Sequence, residues 1–303
     1  MKYSIVIPVY NSMHTLHELT ERIFLTMKDY DFEIILVDDF SVDNSWNTLL
    51  NIKQNNTTQN IILVKLSKNF GQQSATLCGI SYASGDYVIT IDDDLQTPPE
   101  EINKLIHYNE EKNIDVLYGI YKIQQHSFLR SKLKEIGFSI MKKINPQIGN
   151  TSSFRLINKQ IVDYLKKPYT HIVNIDEVIQ WYTHSIDTID VIHHERKEGK
   201  SNYNLFNLVK LAFSSLFQYY TIPLHIISSL GLYISASSML LAIYYIIKKF
   251  LFRVSIEGWT SLMVVLLFST GIIVFSLGVI GKYLFQILNT QNGKPPYIVK
   301  DVK

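Results

Sequence analysis

Three consecutive aspartates, Asp92, Asp93 and Asp94, follow the apolar run Tyr87-Val88-Ile89-Thr90-Ile91. Carboxylates placed so closely repel one another unless a positive charge is present or one of them keeps its proton. A divalent cation supplies that charge. If extended geometry persists from Asp92 to Asp94, their side chains leave on one face while Asp93 points away, giving two hard oxygen ligands of the kind Mg²⁺ or Mn²⁺ accepts. Gln96 continues the alternation and adds a carbonyl oxygen. The same stretch also reads as an acidic helix start, because Pro98 and Pro99 precede Glu100-Glu101-Ile102 and carboxylates favour helix N-termini. A metal held by so few protein ligands completes its shell with substrate phosphates and water, so the implied substrate is a nucleoside diphosphate conjugate. A second acidic cluster, Asp38, Asp39 and Asp43, follows another apolar run; Asp43 with Ser45 equally reads as the cap of the next helix.

The elements that must carry these residues alternate short β-rich runs with longer helical stretches, an α/β pattern. Strands are expected over Tyr3–Val9, Glu33–Val37, Ile61–Leu66, Tyr87–Ile91 and Asp115–Tyr121, and helices over His14–Met27, Asn44–Lys53, Gln72–Ala83 and Glu100–Glu111. The runs EIILVD and YVITID are apolar on both faces, as in a mainly parallel sheet covered on both sides. Ligands bind beyond the carboxyl ends of such strands, where both acidic clusters fall. There is no G-x-G-x-x-G after the first strand and no G-x-x-x-x-G-K-[ST], which removes the usual signatures of a dinucleotide enzyme or a P-loop ATPase.

With 29 Lys+Arg against 27 Asp+Glu, the net charge of +2 gives no reason to expect a nucleic-acid partner. The single cysteine, Cys78, excludes an intrachain disulfide framework and a Cys-rich zinc site, and fits a reducing compartment. Charged residues make up 18% of the 303 residues, below the roughly 25% of soluble domains. No Asp, Glu, Lys or Arg lies between Lys210 and Lys248 or between Glu257 and Lys282. A bilayer core about 30 Å thick needs about 20 apolar helical residues, so two transmembrane helices are expected over 222–247 and 259–281, within 222–288. Pro223 sits in the first turn of the first span. Residues 204–221 read as an amphipathic helix at the membrane surface, 1–203 as a cytosolic α/β domain and 289–303 as a C-terminal tail. The distribution of Lys and Arg favours both ends in the cytoplasm, with a multi-pass protein of the plasma (inner) membrane.

VIPVYN, VDDFSVDNS, NFGQQSATLCGI, IDDDLQTPPEEI, SFRLINKQIVDYL and RKEGKSNY occur in this order over residues 4–203, and two spans follow. Together they resemble the family-2 inverting glycosyltransferases, in the polyprenyl-phosphate branch similar to dolichyl-phosphate mannose synthase. The resemblance implies a GT-A fold, a nucleotide-sugar donor, Mg²⁺ or Mn²⁺, and a polyprenyl phosphate acceptor in the bilayer; a homo-oligomer is compatible with it. It implies that Pro8, Tyr10, Asp39, Asp92 and Asp93 contact the nucleotide, and that Asp92, Asp94 and Gln96 serve the metal and diphosphate. Arg130, Arg155, Arg196, Lys200 and Ser201 would hold the acceptor phosphate and diphosphate, with Asp94, Arg155 and Arg196 as the catalytic group.

Two positions depart from the family pattern. Ser12 stands where an acidic residue is frequent, which leaves the base of the nucleotide open. Ser153 stands where an acidic residue commonly precedes FRL, so no catalytic base is assigned there. Transfer to a hydroxyl would need such a base. A phosphate monoester, with a second pKa of about 6, attacks without prior deprotonation. The expected reaction is therefore a single displacement at the anomeric carbon, converting an α-linked donor to a β-linked polyprenyl phospho-sugar. Rival readings are a processive polysaccharide synthase, which lacks its Q-x-x-R-W here, a hydroxyl-directed membrane glycosyltransferase, and a non-catalytic sugar-nucleotide-binding scaffold.

Overall fold

In the computed structural model, residues 1–121, 151–167, 174–194, 258–291 and 295–303 are described, with isolated positions between 229 and 247. The strands are β1 (Lys2–Val9), β2 (Asp31–Asp38), β3 (Ile61–Leu66), β4 (Tyr87–Thr90), β5 (Val116–Ile120), β6 (Arg155–Asn158), β7 (Ile186–Asp190) and β8 (Val299–Val302). The helices are α1 (Leu16–Thr26), α2 (Ser45–Asn55), α3 (Gln72–Tyr82), α4 (Ile102–Lys112, preceded by a 3₁₀ turn over Pro99–Glu101), α5 (Lys159–Leu165), α6 (Ile175–Tyr182) and α7 (Trp259–Gln291). All five expected strands and four expected helices form, with ends shifted by a few residues. β6, β7 and β8 were not expected from the sequence.

The strands make one sheet in the order β7-β5-β6-β4-β1-β2-β3-β8. β1 pairs in parallel with β2 and β4, β2 with β3, and β5 with β7, whereas β6 runs antiparallel to β4 and β5, and β8 antiparallel to β3. Period-two alternation divides the sheet's apolar side chains between two cores. Ile5, Ile7, Ile34 and Leu36 pack with Leu19, Ile23, Leu49 and Leu105 of α1, α2 and α4. Val6, Ile35, Val37 and Val88 face the opposite way and pack with Leu77, Ile80, Ile161 and Val178 of α3, α5 and α6. Burying each such side chain contributes about 1.5–3 kcal/mol, and covering both faces explains why the strands are apolar throughout. α3 approaches the sheet closely: a Cβ on Gly79 would lie 2.3 Å from Val6 Cγ1.

Two compact units divide the chain. One comprises Met1–Gly199 together with Pro295–Lys303, and the other Lys200–Lys294. The tail is therefore not a free end. β8 joins the sheet of the first unit, with Lys303 and Leu63 exchanging backbone hydrogen bonds of 3.0 and 2.9 Å. In the second unit α7 has 33 residues, longer than the expected span, and carries an 18-residue window, Phe268–Phe285, of mean hydropathy 1.6. Of the first expected span only isolated positions between 229 and 247 are described, all helical, and the expected surface helix at 204–221 falls entirely outside the described residues.

Candidate active site

The chain reverses direction in the sheet between β1 and β4: β2 and β3 build outward on one side of β1, and β4 lies on the other. In open α/β sheets the crevice at such a switch point is where ligands bind. A cleft of about 290 Å³ opens there, lined by Pro8, Val9 and Tyr10 after β1, Asp39 after β2, Asn69, Gly71 and Gln72 after β3, and Asp92, Asp93 and Asp94 after β4. Each of these connections turns through a left-handed residue: Asn11 (φ 54°), Phe40 (φ 63°), Gly71 (φ 89°) and Leu95 (φ 58°). Glycine adopts this geometry freely, but Phe40 and Leu95 do so at a cost of about 1–2 kcal/mol each, the kind of strain that persists where packing over-determines a functional loop.

Leu95 also corrects an expectation. The extended backbone ends at Thr90, and Asp93 and Asp94 lie in a turn. Strict alternation of side chains therefore does not run through Asp94 and Gln96. The turn is closed instead by the Gln96 N–H, which donates to Asp94 Oδ1 at 3.1 Å, while the Gln96 carbonyl accepts from the His194 N–H at 2.8 Å. Gln96 is absent from the cleft lining.

Within the turn the three carboxylates are used differently. Asp93 Oδ2 accepts the Tyr10 N–H at 2.9 Å and the Ser12 hydroxyl, and its backbone carbonyl accepts the Thr15 hydroxyl at 2.6 Å. The loop after β4 is thereby sewn to the loop after β1. Burial raises the Asp93 pKa to about 6 against the pull of these donors. Asp92 accepts Gln72 Nε2 on Oδ1 and Ser153 Oγ on Oδ2, both at 2.6 Å. Burial pushes its pKa up as well, aided by Asp94 and opposed by Ser153, Arg155 and Gln72. Asp39, almost fully buried, accepts the Phe70 N–H at 2.7 Å and the Gly71 N–H at 2.8 Å, which pins the loop after β3; burial again raises its pKa. Asp43 accepts the Ser45 N–H at 3.0 Å and the Met13 N–H at 3.3 Å, so it caps α2 and ties in the first loop.

Arg155 is a correction. Its guanidinium is 1% exposed and lies in the interior, paired with Asp176, while Nε donates to Thr90 Oγ1 at 3.2 Å. Tyr118 Oη completes the group by donating to Asp176 at 2.9 Å. The cause is register: β6 pairs antiparallel with β4 so that Arg155 sits opposite Thr90, facing inward. The guanidinium expected at a phosphate is thus turned into the interior, and Asp176 is committed to the same pair. Arg130, Arg196, Lys200 and Ser201 lie outside the described residues. Pro8, Tyr10, Asp39, Asp92, Asp93 and Asp94 come together at the cleft.

Sequence reasoning missed Asn69, Gln72 and His193. The first two belong to NFGQQS, which directly follows a strand of the same sheet, and that position was the available signal. His193 stacks on Tyr121 with ring centroids 3.9 Å apart and an interplanar angle of 6°. Its Nδ1 is buried without a hydrogen-bond partner among the described residues. Burial lowers its pKa, against the pull of Asp94 and Asp92.

Comparison with known proteins accords with this geometry. A crystal structure of glucosyl-3-phosphoglycerate synthase from Mycobacterium tuberculosis, in complex with Mn²⁺, UDP and phosphoglyceric acid, superposes with a TM-score of 0.51 at 15% identity, over 71% of this chain and 76% of that one. The likeness is one of fold, the GT-A architecture. Among curated proteins, an uncharacterized glycosyltransferase of Synechocystis sp. is 33% identical over 310 residues, covering 100% of this chain and 96% of its own length. Undecaprenyl-phosphate 4-deoxy-4-formamido-L-arabinose transferase of Proteus mirabilis is also 33% identical over 310 residues, covering 99% of this chain and 94% of its own. The model for glycosyl transferase family 2 matches residues 4–166, a stretch holding the whole acidic cleft, and the chain belongs to that family of glycosyltransferases.

Proposed function

We propose that this glycosyltransferase moves a sugar from a nucleotide-sugar donor, UDP- or GDP-linked, to a polyprenyl phosphate such as undecaprenyl phosphate in the bilayer, using Mg²⁺ or Mn²⁺. The observation that carries the reading is the acidic turn Asp92–Asp94 in a cleft at the β1/β4 switch point. Similarity over nearly full length to a transferase named for undecaprenyl phosphate supports the acceptor class.

The residues present fit a divalent cation. Burial and mutual repulsion hold Asp92 and Asp93 above the ordinary carboxylate range, a cost that a cation relieves. Among the described residues no group of three or more His, Cys, Asp or Glu side chains converges into a closed metal cage. That suits an ion which takes one or two carboxylates and completes its shell with phosphates and water. Asp92 and Asp94 would hold it, and when bound it supplies charge to the departing diphosphate.

The protein's own part is positioning. Pro8, Tyr10 and Asp39 line the side of the cleft opened by β1 and β2, where a nucleoside would lie, with the half-exposed Tyr10 ring available for stacking. Asp93 holds the Tyr10 loop in place. In the reaction the bond from anomeric carbon to diphosphate breaks, its electron pair leaves with the nucleoside diphosphate, and an acceptor phosphate oxygen bonds to the opposite face, with inversion. Ser153 donates its hydrogen to Asp92 and Asp176 is committed to Arg155, so neither is free to act as a base; a dianionic phosphate needs none. Arg130, Arg196, Lys200 and Ser201 are proposed to bring in the acceptor phosphate.

Membrane attachment is part of the proposal. α7 extends about 50 Å at 1.5 Å per residue, and its apolar side chains, such as Phe268 and Phe275, are exposed. The residues on either side of the 200–294 segment belong to one compact unit, so a bilayer-inserted chain would cross an even number of times. A spanning α7 would then need a partner crossing, for which the proposal takes 222–247, with the catalytic domain placed on the cytoplasmic side of the plasma membrane.

The test is incubation of the purified full chain with undecaprenyl phosphate, Mn²⁺ and labelled nucleotide sugars, followed by lipid extraction. Label in the lipid fraction, lost with Asp94→Asn or excess EDTA, is expected. Label confined to water-soluble polymer would replace this reading by a processive synthase.

A further inference from the structure

A metal ligand depends on what holds it. Both oxygens of Asp92 are engaged by neutral donors from elements remote in sequence: Gln72 Nε2, at the first residue of α3, on Oδ1, and Ser153 Oγ, just before β6, on Oδ2. Ser153 is itself fixed, since its backbone carbonyl accepts the Thr90 hydroxyl, and Thr90 Oγ1 accepts Arg155 Nε at 3.2 Å. Arg155 is anchored by Asp176. Every hydrogen in this chain is donated away from the buried guanidinium and toward the cleft, which orders the hydroxyls. An acceptor on which two donors converge is best satisfied as an ionised carboxylate.

Resting on the proposed function, we infer that Gln72 and Ser153 are positioning residues which clamp Asp92 and set the chain's affinity for its divalent cation. Asp92 and Asp94 would be the protein ligands, and the clamp would fix how the Asp92 carboxylate is presented to the cation. The clamp also gives residue 153 a task suited to a hydroxyl. A carboxylate there would face Asp92 and repel it, whereas serine donates to it. Position 153 thus serves the donor side of the cleft in this chain.

Outer partners of metal-ligating groups are worth about 10–100-fold in metal affinity. Mn²⁺ alone is titrated into the full-length chain in lipid nanodiscs and free ion is followed by electron paramagnetic resonance. Ser153→Ala and Gln72→Ala are each expected to raise the Mn²⁺ dissociation constant by about 10–100-fold while the thermal unfolding midpoint stays near that of the parent. Ser153→Thr, which keeps the hydroxyl, restores most of the affinity. Parent binding that is lost with Asp94→Asn but unchanged in Ser153→Ala and Gln72→Ala would overturn the clamp and leave the proposed function standing. A parent chain that binds no Mn²⁺ would overturn both.

Discussion

The backbone N–H of Tyr10 donates to Asp93 Oδ2 at 2.9 Å, across two loops that are 83 residues apart in sequence. Asp93 thus ties the loop after β4 to the loop after β1. Replacing it by alanine frees the Tyr10 N–H and the Ser12 hydroxyl together, each of which loses a charged acceptor worth about 1.5–3 kcal/mol. Asp93→Ala should therefore raise the KM for the donor more than it lowers kcat, and should lower the unfolding free energy. Steady-state kinetics at varied donor concentration check this; a fall in kcat alone would assign Asp93 to the chemistry.

Arg155 and Asp176 make an interior ion pair with Tyr118 and Thr90 around it. Removing one partner of such a pair costs about 3–5 kcal/mol, because the other is left charged and unpaired. Arg155→Ala should lose roughly that much in urea denaturation, and Asp176→Asn somewhat less, since an amide still accepts from Tyr118. The double variant should be less destabilised than the sum of the two. Additive losses would mean the pair contributes nothing as a unit.

The acidic tip and the strands leading to it were legible because an apolar run ending in charges is a local signal. β2 and β4 are such runs, and β1, β3 and β5 are apolar runs bounded by polar residues. β6 begins with Arg155 and β7 reads Ile-Asp-Thr-Ile-Asp, so neither announces a buried strand; their places come from pairing with β4 and β5. The fate of Arg155 was illegible for the same reason. A basic residue beside a cleft motif reads as a phosphate ligand, and only register with Thr90 turns it inward. The contact from Ser153 to Asp92 spans 61 residues and has no sequence signature at all.

Glu33 lies at the other end of the sheet and makes stability depend on pH. Its carboxylate is 2% exposed and accepts Ser4 Oγ and the Ser84 N–H at 2.6 Å, with Lys2 Nζ at 3.0 Å. Burial alone would raise its pKa, but these donors outweigh it and hold it below the usual value. A group depressed in the folded state stabilises above its unfolded pKa, about 4.3, and that contribution fades as pH falls through the folded value. Glu33→Gln should cost about 1–3 kcal/mol at pH 7 and progressively less as the solution is acidified. Chemical denaturation from pH 7 down to pH 3 measures it; a constant difference between the two proteins would assign the loss to packing.

The tail is the last element to close the catalytic sheet, although it follows the long apolar helix α7. Val302, Asp301 and Val299 pair with Val64, Lys65 and Leu66, and the Ser67 N–H donates to the Ile298 carbonyl at 2.9 Å. Without these residues β3 becomes an unprotected edge carrying Leu63, Val64 and Leu66, the kind of edge that recruits other chains. Backbone hydrogen bonds contribute about 0.5–1.5 kcal/mol each, so deleting residues 295–303 should cost about 2–4 kcal/mol and promote aggregation on size-exclusion chromatography. With the membrane attachment proposed above, the same pairing would keep β8 and β3 on one side of the bilayer. Reporters fused to the N- and C-termini should therefore read on the same side, the cytoplasmic side of the proposal. Opposite sides would mean an odd number of crossings, and β8 could then not pair with β3 in the membrane-inserted protein.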